Sequence, residues 1–485
     1  MGNKNKDNIL VRCMTMELKP TEKLLRHFSE ISAIYNFCNY VRRKKHFGEE
    51  IPMKKPLPSF GELREHLQWL SDSDISTRII NGCLQKVNHD WNSFYGSLKK
   101  HIHANVPSYC NKVKGQGDTL PECGYYEYDT YAPLIFDRQS FTKIDNETNS
   151  FCMPKSDYRI YVPKKVPIDK VKCVTMVYDK GRIKAILSYE KESIRHENIS
   201  SDRIAGIDVG IENILTVTTT PNVGKSWLFK GGAVKSANQF YNKLLANAKS
   251  ELAKSDGRKK SSERIQRIYL KRERVMENFM RNIASKLVNI LIENGIGTVV
   301  VGRNKGWKSD IAQKRITELK EKRSTDKEGN DKGKYEHEDF RNRKENQKSL
   351  SIPHFKLLQM IKSKCEENGI AYDEVEESYT SMTDHLNGEP MVQFDENGKP
   401  VITAEEQQMR KERRIFRGLY RSECGTSINA DVNGAIGILR KMSLVSDDEL
   451  KSDAWRSRID LRTPESVKWW ENVPKPTCVE SENMI

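Results

Sequence analysis

The chain has 485 residues, 36% of them hydrophobic, and a formal net charge of +15. That length allows roughly two to four domains with sizeable cores, and no apolar run is long enough for a membrane-spanning helix. Positive charge spread through the chain points to a polyanionic partner; no single amphipathic basic helix stands apart as a membrane-surface anchor would.

No charged-then-apolar leader opens the sequence. The ten cysteines form no C-x-x-C pair, which argues against an ordinary zinc ribbon or finger. Scattered single cysteines fit a reducing compartment.

Residues 9–18 alternate as a strand, with Ile9, Val11, Cys13 and Thr15 on one face. Pro20 and Thr21 open a helix whose Leu24, Leu25, Phe28, Ile31, Ile34, Tyr35 and Cys38 recur at helical spacing. Its end carries Tyr40, Arg42, Arg43, Lys44 and Lys45. Aromatic and basic residues together at a helix end suit a nucleic-acid backbone and a stacked base, although for any one of them a solvated helix end is the alternative. Residues 59–103 give two more helices, in which Trp91 and Phe94 are assigned to the core rather than to base stacking. Residues 104–150 are loops with a weak strand or two. Strand character returns over 158–162, 171–178 and 183–189, with a turn at Asp179-Lys180-Gly181-Arg182. A helical block over about 20–105 therefore interrupts what reads as a small β-barrel.

Residues 203–217 read as an apolar strand, a tight turn formed by Gly210 and Asn213, and a second strand. Asp208 ends the first strand, and alternation puts it on the face opposite Ile207 and Val209. A carboxylate in such a strand needs compensation. A divalent metal ion is the usual one; an Asp that merely caps the turn is the other reading. Lys225 to Lys230 make a third strand, ended by Gly231-Gly232. A long helix follows, with Ile265, Ile268, Val275, Phe279, Ile283, Leu287 and Ile290 on one face. Its other face carries Arg264, Arg267, Lys271, Arg272, Arg274 and Arg281, the footprint expected of a helix on a phosphate backbone. Gly295 ends it, and Gly297 to Val301 are a buried strand. Residues 309–348 read as a flexible, mixed-charge surface insertion. Ser351 and Pro353 start another helix, Ala371 to Tyr379 form a strand, and Asn429 to Ala435 open a helix reaching about Lys441. The remainder, polar but for Trp455, Trp469 and Trp470, reads as a tail or small docking segment.

From residue 203 the order is strand, strand, strand, helices, strand, helix, strand, helix, which is that of an RNase H-like α/β fold. A two-metal nuclease site on such a fold needs three or four carboxylates around ions about 4 Å apart. Asp208 fits the first position. Asp431 fits the last, in the first turn of its helix on the face shared with Ala435 and Ile438, where small Ala430, Gly434 and Ala435 permit close approach to a sheet. Simple complementation of the helix dipole is the alternative for Asp431. The middle acid is absent from the strand that ends in Gly302-Arg303-Asn304. In the next strand, alternation groups Ala371, Val375, Glu377 and Tyr379 on the more apolar face, favouring Glu377 as ligand over Glu376; a solvated acidic strand edge is the third reading. Such hard oxygen ligands suit Mg²⁺ or Mn²⁺.

The segments Gly206-Ile207-Asp208-Val209-Gly210, Val301-Gly302-Arg303-Asn304-Lys305-Gly306-Trp307-Lys308, Glu377-Ser378-Tyr379-Thr380-Ser381 and Arg417-Gly418-Leu419-Tyr420-Arg421, with Asn429-Ala430-Asp431-Val432-Asn433-Gly434-Ala435, resemble the RuvC half of TnpB. TnpB is the transposon-encoded RNA-guided nuclease related to Fanzor proteins and to miniature type V CRISPR effectors. The resemblance implies an N-terminal wedge β-barrel in two parts (1–19 and 151–200) interrupted by a helical recognition domain (20–150). It implies an RNase H-like (RuvC) nuclease domain over 201–379 with its insertion, a degenerate zinc-ribbon-like segment over 380–428, the final RuvC helix at 429–442 and a tail over 443–485.

The activity implied is RNA-guided cleavage of double-stranded DNA beside a short flanking motif. A single RuvC site would hold two Mg²⁺ ions, for which Mn²⁺ can substitute, on Asp208, Glu377 and Asp431. The guide RNA would be a transposon-end RNA or a CRISPR RNA. Tyr40, Arg42, Arg43, Lys44, Arg264, Arg267, Lys271, Arg274, Lys305, Trp307 and Lys308 are the expected nucleic-acid contacts. Many family members place the middle glutamate where this chain has Gly302; a subgroup including Fanzor relatives takes it from the position matching Glu377. The zinc ribbon retains only Cys424, beside His385, which argues against bound zinc. The alternatives are a cleavage-deficient RNA-guided repressor and an unguided RNA-binding accessory protein of a transposon. The expected location is the cytoplasm of a prokaryote, in association with the nucleoid, or the nucleus in a eukaryote.

Overall fold

A computed structural model describes residues 9–51, 55, 57–100, 104–113, 125–179, 181–255, 261–303, 352–395, 400–416 and 418–470. The expected insertion at 309–348 and Lys305, Trp307 and Lys308 lie outside these residues. The chain divides into two compact units, 1–192 and 193–485. No helix among the described residues is long and apolar enough to cross a membrane.

In the first unit, β1 (Ile9–Leu18) is followed by three helices, α1 (Glu22–His46), α2 (Phe60–His66) and α3 (Thr77–Lys99), before the strands resume. These are β2 (Leu134–Asp137), β3 (Thr142–Asp145), β4 (Ser150–Cys152), β5 (Arg159–Tyr161), β6 (Val171–Asp179) and β7 (Arg182–Glu192). Ladder hydrogen bonds group them as a four-stranded sheet, β1-β7-β6-β2, and a three-stranded sheet, β3-β4-β5, all antiparallel. The expected barrel is thus seen as two sheets, which share one core with the helices. Thr21 caps α1 by accepting from the backbone N of Leu24. Inside the helix layer the Trp91 indole donates to Asn39 Oδ1 at 3.0 Å, and Asn39 donates in turn to the carbonyls of Pro107 and Ser108. Trp91 is fully buried, as its helical spacing implied.

The second unit is built on a six-stranded sheet. Its strands are β8 (Ser200–Asp208), β9 (Asn213–Thr219), β10 (Ser226–Lys230), β11 (Ile296–Gly302), β12 (Ala371–Val375) and a short β13 (Glu465–Ser466). The order across the sheet is β12-β11-β8-β9-β10-β13. The first three strands form an antiparallel meander, and β11 and β12 add in parallel beside β8. This is the topology of an RNase H-like sheet. Helices α4 (Gly232–Ser255), α5 (Glu263–Glu293) and α6 (His354–Glu367) follow the order read from the sequence. Side chains of α5 and α6 share a core with Ala205, Ile207, Val217 and Val299. A later helix, α7 (Ala430–Lys441), is packed against Gly206 on the other face of β8, so closely that a Cβ added at Gly206 would lie 2.5 Å from the Ala435 carbonyl oxygen.

Two expectations need correction. The strand expected over Ala371 to Tyr379 stops at Val375, because the Val375 carbonyl makes its last ladder bond with Arg303 and Tyr379 takes a left-handed conformation at φ +64°. The segment expected as a tail or small docking segment is, through residue 470, docked into the unit and not left as a tail. Its β13 pairs in parallel with β10, Trp455 and Trp469 are buried, and the Trp469 indole donates to the Lys230 carbonyl at 3.1 Å. Arg458 donates to the Thr219 carbonyl at 2.6 Å, and Asp460 accepts from Ser226 at 2.7 Å. Polar composition hid this segment, because it is fastened by hydrogen bonds around only a few large side chains. Replacing Trp455, which fills the core beneath α7, by Ala should destabilise the unit by about 3–5 kcal/mol. Chemical denaturation of the variant against the parent chain measures this.

Candidate active site

Asp208 is the last residue of β8 and stands opposite Thr216 of β9. Strand alternation sends Ala205 and Ile207 into the core under α5 and α6. Gly206 and Asp208 face α7, where a Cβ added at Gly434 would lie 3.4 Å from the Asp208 carboxyl carbon.

Asp431 lies in the first turn of α7. Asn429 caps that helix, its Oδ1 accepting from the backbone N of Asp431 at 3.0 Å and of Val432 at 3.2 Å. The Asp431 carboxylate is oriented from both sides: Asn213 Nδ2 donates to Oδ2 at 2.7 Å, and Arg414 Nη2 lies 3.8 Å from Oδ1.

Glu377 sits in the turn after β12, so strand alternation is not what selects it. Its neighbour Glu376 is exposed and folds back to accept from the Ser378 backbone N and hydroxyl. Glu377 turns inward instead, and its Oε2 is buried with no hydrogen-bond partner. Burial, and then the Glu376 charge, push the Glu377 carboxyl up to about 7, with Lys441 opposing them. Burial raises the Asp208 carboxyl well above the ordinary range, and the facing Glu377 and Asp431 charges raise it further; the Val209 N–H and Arg414 offset part of this.

These three carboxylates offer only hard oxygen donors, so they fit a divalent cation such as Mg²⁺ or Mn²⁺. Among the described residues, one trio of candidate ligands has its atoms all within 4.8 Å: His27, Glu30 and Asp74 in the first unit. There Lys23 already pairs with Asp74 at 2.6 Å. Asp208, Glu377 and Asp431 do not form such a trio.

The expected nucleic-acid contacts divide. Arg42 and Arg43 are half-buried: Arg42 donates to Asn88 at 2.7 Å, and Arg43 donates to the Pro107 carbonyl and covers the Tyr109 ring. Tyr40 is exposed with Lys44 over its ring. On α5, Arg264, Arg267, Lys271 and Arg274 are exposed; Arg264 pairs with Glu251 and Arg267 with Glu263. Within the same stripe, Arg272 donates to Asn238 and Arg281 pairs with Glu277. Three residues beside the carboxylates were not singled out for the site from the sequence. Asn213 read only as a turn former, Arg414 carried no reading, and Lys441 was only the last residue of a helix.

Residues 187–308 match the family described as "Probable transposase", and residues 354–438 match the "Cas12f1-like, TNB domain" family. A TnpB-like protein, ORF457 of Acidianus two-tailed virus, is 23% identical over 468 residues, covering 89% of this chain and 86% of that protein. The chain thus resembles a TnpB-like protein along most of its length and the Cas12f1-like proteins over residues 354–438. Among solved structures, a Cas12f1–sgRNA–target DNA complex is similar at 15% identity over 86% of this chain and 82% of that one, with a TM-score of 0.47. The mini-RNA-guided endonuclease CRISPR-Cas_phi3 is similar at 10% identity over 90% and 93%, with a TM-score of 0.38.

For this TnpB-like chain the raised Glu377 carboxyl has a sign that can be tested. The folded state favours its neutral form, so that contribution to stability is present below the ordinary carboxyl range and is lost as pH rises through about 7. Without divalent ions, Glu377→Gln should raise the melting temperature at pH 8 and change it less at pH 5. Thermal scans at the two pH values check this.

Proposed function

We propose that the chain is an RNA-guided DNA endonuclease whose single RuvC-type site consists of Asp208, Glu377 and Asp431. The observation that carries this reading is geometric: Asp208 lies against Gly434 of α7, the helix that holds Asp431 in its first turn, and Glu377 Oε2 lies beside Gly302, whose neighbour Val301 pairs with Ile207. Gly302 taken alone would favour a guided protein that binds without cutting. Glu377 supplies the missing carboxylate, so cleavage is the stronger reading.

Asp208, Glu377 and Asp431 would hold two Mg²⁺ ions. When bound, these supply positive charge to the scissile phosphate and a more acidic water. The chain's own residues set the arrangement: Asn213 and Arg414 orient Asp431, and the mass of α7 limits the water around Asp208. In this reading the sheets of the first unit serve as the wedge and α1 to α3 as the recognition part. A duplex of guide RNA and target DNA would be held by shape and phosphates. The exposed Tyr40 with half-buried Lys44 over its ring, the outer face of α5 with Arg264, Arg267, Lys271 and Arg274, and the segment with Lys305, Trp307 and Lys308 are the proposed contacts.

The test is to purify the chain with its RNA, sequence that RNA, and challenge the complex with plasmids that match it and carry randomised flanks. With Mg²⁺ the parent chain should cut. Asp208→Ala and Glu377→Gln should abolish cutting while leaving DNA binding nearly unchanged, and Glu376→Gln should keep cutting. A complex that binds the matched plasmid without ever nicking it would establish the binding-only reading. Loss of activity in Glu376→Gln but not in Glu377→Gln would move the third carboxylate to Glu376.

A further inference from the structure

Glu377 enters the carboxylate group from outside the sheet, and two features account for its position. The first is an empty volume at Gly302. Val301 pairs with Ile207 in the β11–β8 ladder, so Gly302 is level with Asp208. A Cβ added at Gly302 would lie 2.8 Å from Glu377 Oε2 and 2.5 Å from Ile438 Cδ1, nearer than such atoms can stand. The backbone at 302 is not in the left-handed region, so any residue could adopt its conformation. What the site requires of residue 302 is the absence of a side chain, and the carboxylate oxygen fills the room this leaves.

The second feature is Lys441, the last residue of α7. Its ammonium donates to the carbonyls of Glu376 at 2.9 Å and Ser378 at 2.7 Å, the residues on either side of Glu377, and lies 3.5 Å from the Glu376 carboxylate. Three donors thereby meet three acceptors on one turn. Its side chain is only 16% exposed. A basic residue at a helix end ordinarily complements the helix's own carbonyls. Here both carbonyls it meets belong to the turn after β12, so the helix that carries Asp431 also fastens the turn that carries Glu377.

We propose that Gly302 and Lys441 are positioning residues for the Glu377 carboxylate, Gly302 by leaving its space open and Lys441 by fastening the turn on which it is carried. The proposal rests on the nuclease reading above and deepens it.

The test measures Mn²⁺ affinity of the full-length chain by electron paramagnetic resonance titration, alongside guided plasmid cleavage and DNA binding. Lys441→Met and Gly302→Ala should each weaken Mn²⁺ binding and slow cleavage by roughly 10–100-fold with DNA binding retained. Lys441→Arg, which keeps a cationic donor, should recover most of the loss. Ile438→Val added to Gly302→Ala should recover part of it, because it shortens the other group that the new methyl meets. Should Gly302→Ala fail to fold, the two Lys441 variants still decide. Parent-like Mn²⁺ affinity and cleavage in Lys441→Met would overturn the assignment of Lys441, and the same result in Gly302→Ala that of Gly302. A parent chain that binds Mn²⁺ but never cuts would overturn the nuclease reading, while the positioning roles still stand or fall on the Mn²⁺ affinities. A parent chain that binds no Mn²⁺ would overturn both.

Discussion

The close approach of α7 to β8, made possible by glycines on both elements, is what the proposed site of Asp208, Glu377 and Asp431 depends on. Gly206 lets the backbone of α7 approach β8 at the Ala435 carbonyl, and Gly434 leaves the Asp208 carboxyl at its surface. Close packing of this kind removes water from acids that would otherwise be hydrated, and desolvation is accordingly the largest influence on both Asp208 and Glu377. Like charges then add to it. Among the contacts described, the opposing groups are few: Asn213 and Arg414 at Asp431, and Lys441 behind Glu377. Burying acids with so little compensation is costly, and carboxyls shifted in this way are what the proposed site rests on. Its neighbours must be rigid for the acids to stay together, and that demand reaches the glycines, the helix cap and the closing segment alike.

The sequence made some of this legible and not the rest, for physical reasons. Asp208 and Asp431 lie in regular elements, where periodicity and capping residues predict which face a side chain takes. Ile207 and Asp208 do point to opposite faces, and Asn429 does cap the helix of Asp431. Glu377 was reached by extending a strand period beyond the point where the strand exists. The inward turn instead follows from local chemistry, since Glu376 is occupied by Ser378 and Lys441 while Glu377 Oε2 finds no partner. Partners such as Asn213, Arg414 and Lys441 come from distant parts of the chain and leave no periodic trace. The final strand was missed for a related reason, being two residues long in a polar stretch.

Charge is the clearest case of a signal that is right in bulk and ambiguous residue by residue. A net charge of +15 is a property of the whole chain. Individual cations in the basic runs are spent differently: Arg43 closes onto the Pro107 carbonyl and Tyr109, Arg272 onto Asn238, and Lys356 onto Glu277. An arginine with its long apolar stem packs as readily as it binds a phosphate, so spacing along a helix cannot separate the two uses. Exposure in the folded chain can: Arg264, Arg267, Lys271 and Arg274 on the outer face of α5 are exposed, whereas Arg42, Arg43 and Lys44 at the end of α1 are half-buried.

The segment between Thr380 and Asn429 shows how polar contacts can do the work of a metal cross-link. Buried Asp384 accepts from the Ser422 hydroxyl at 2.7 Å and the Glu423 backbone N at 2.8 Å, joining the two ends of the segment. Glu389 pairs with Arg413 at 2.7 Å and Arg410 at 3.5 Å, and Arg410 donates to Thr383 and to the Pro390 carbonyl. His385, one of the two possible zinc ligands that remain, is fully buried, and burial pushes its ring pKa down to about 3. Its Nε2 can only donate to the Thr380 carbonyl, at 2.7 Å, which leaves Nδ1 as the acceptor, and that atom faces Arg440 at 3.5 Å. A ring held in this way has no lone pair turned toward a metal ion. It is instead packed against Gly437, where an added Cβ would lie 2.5 Å from Nε2. The network therefore ends on α7 itself, so the contacts that hold this segment together also fix the helix on which Asp431 and Lys441 depend.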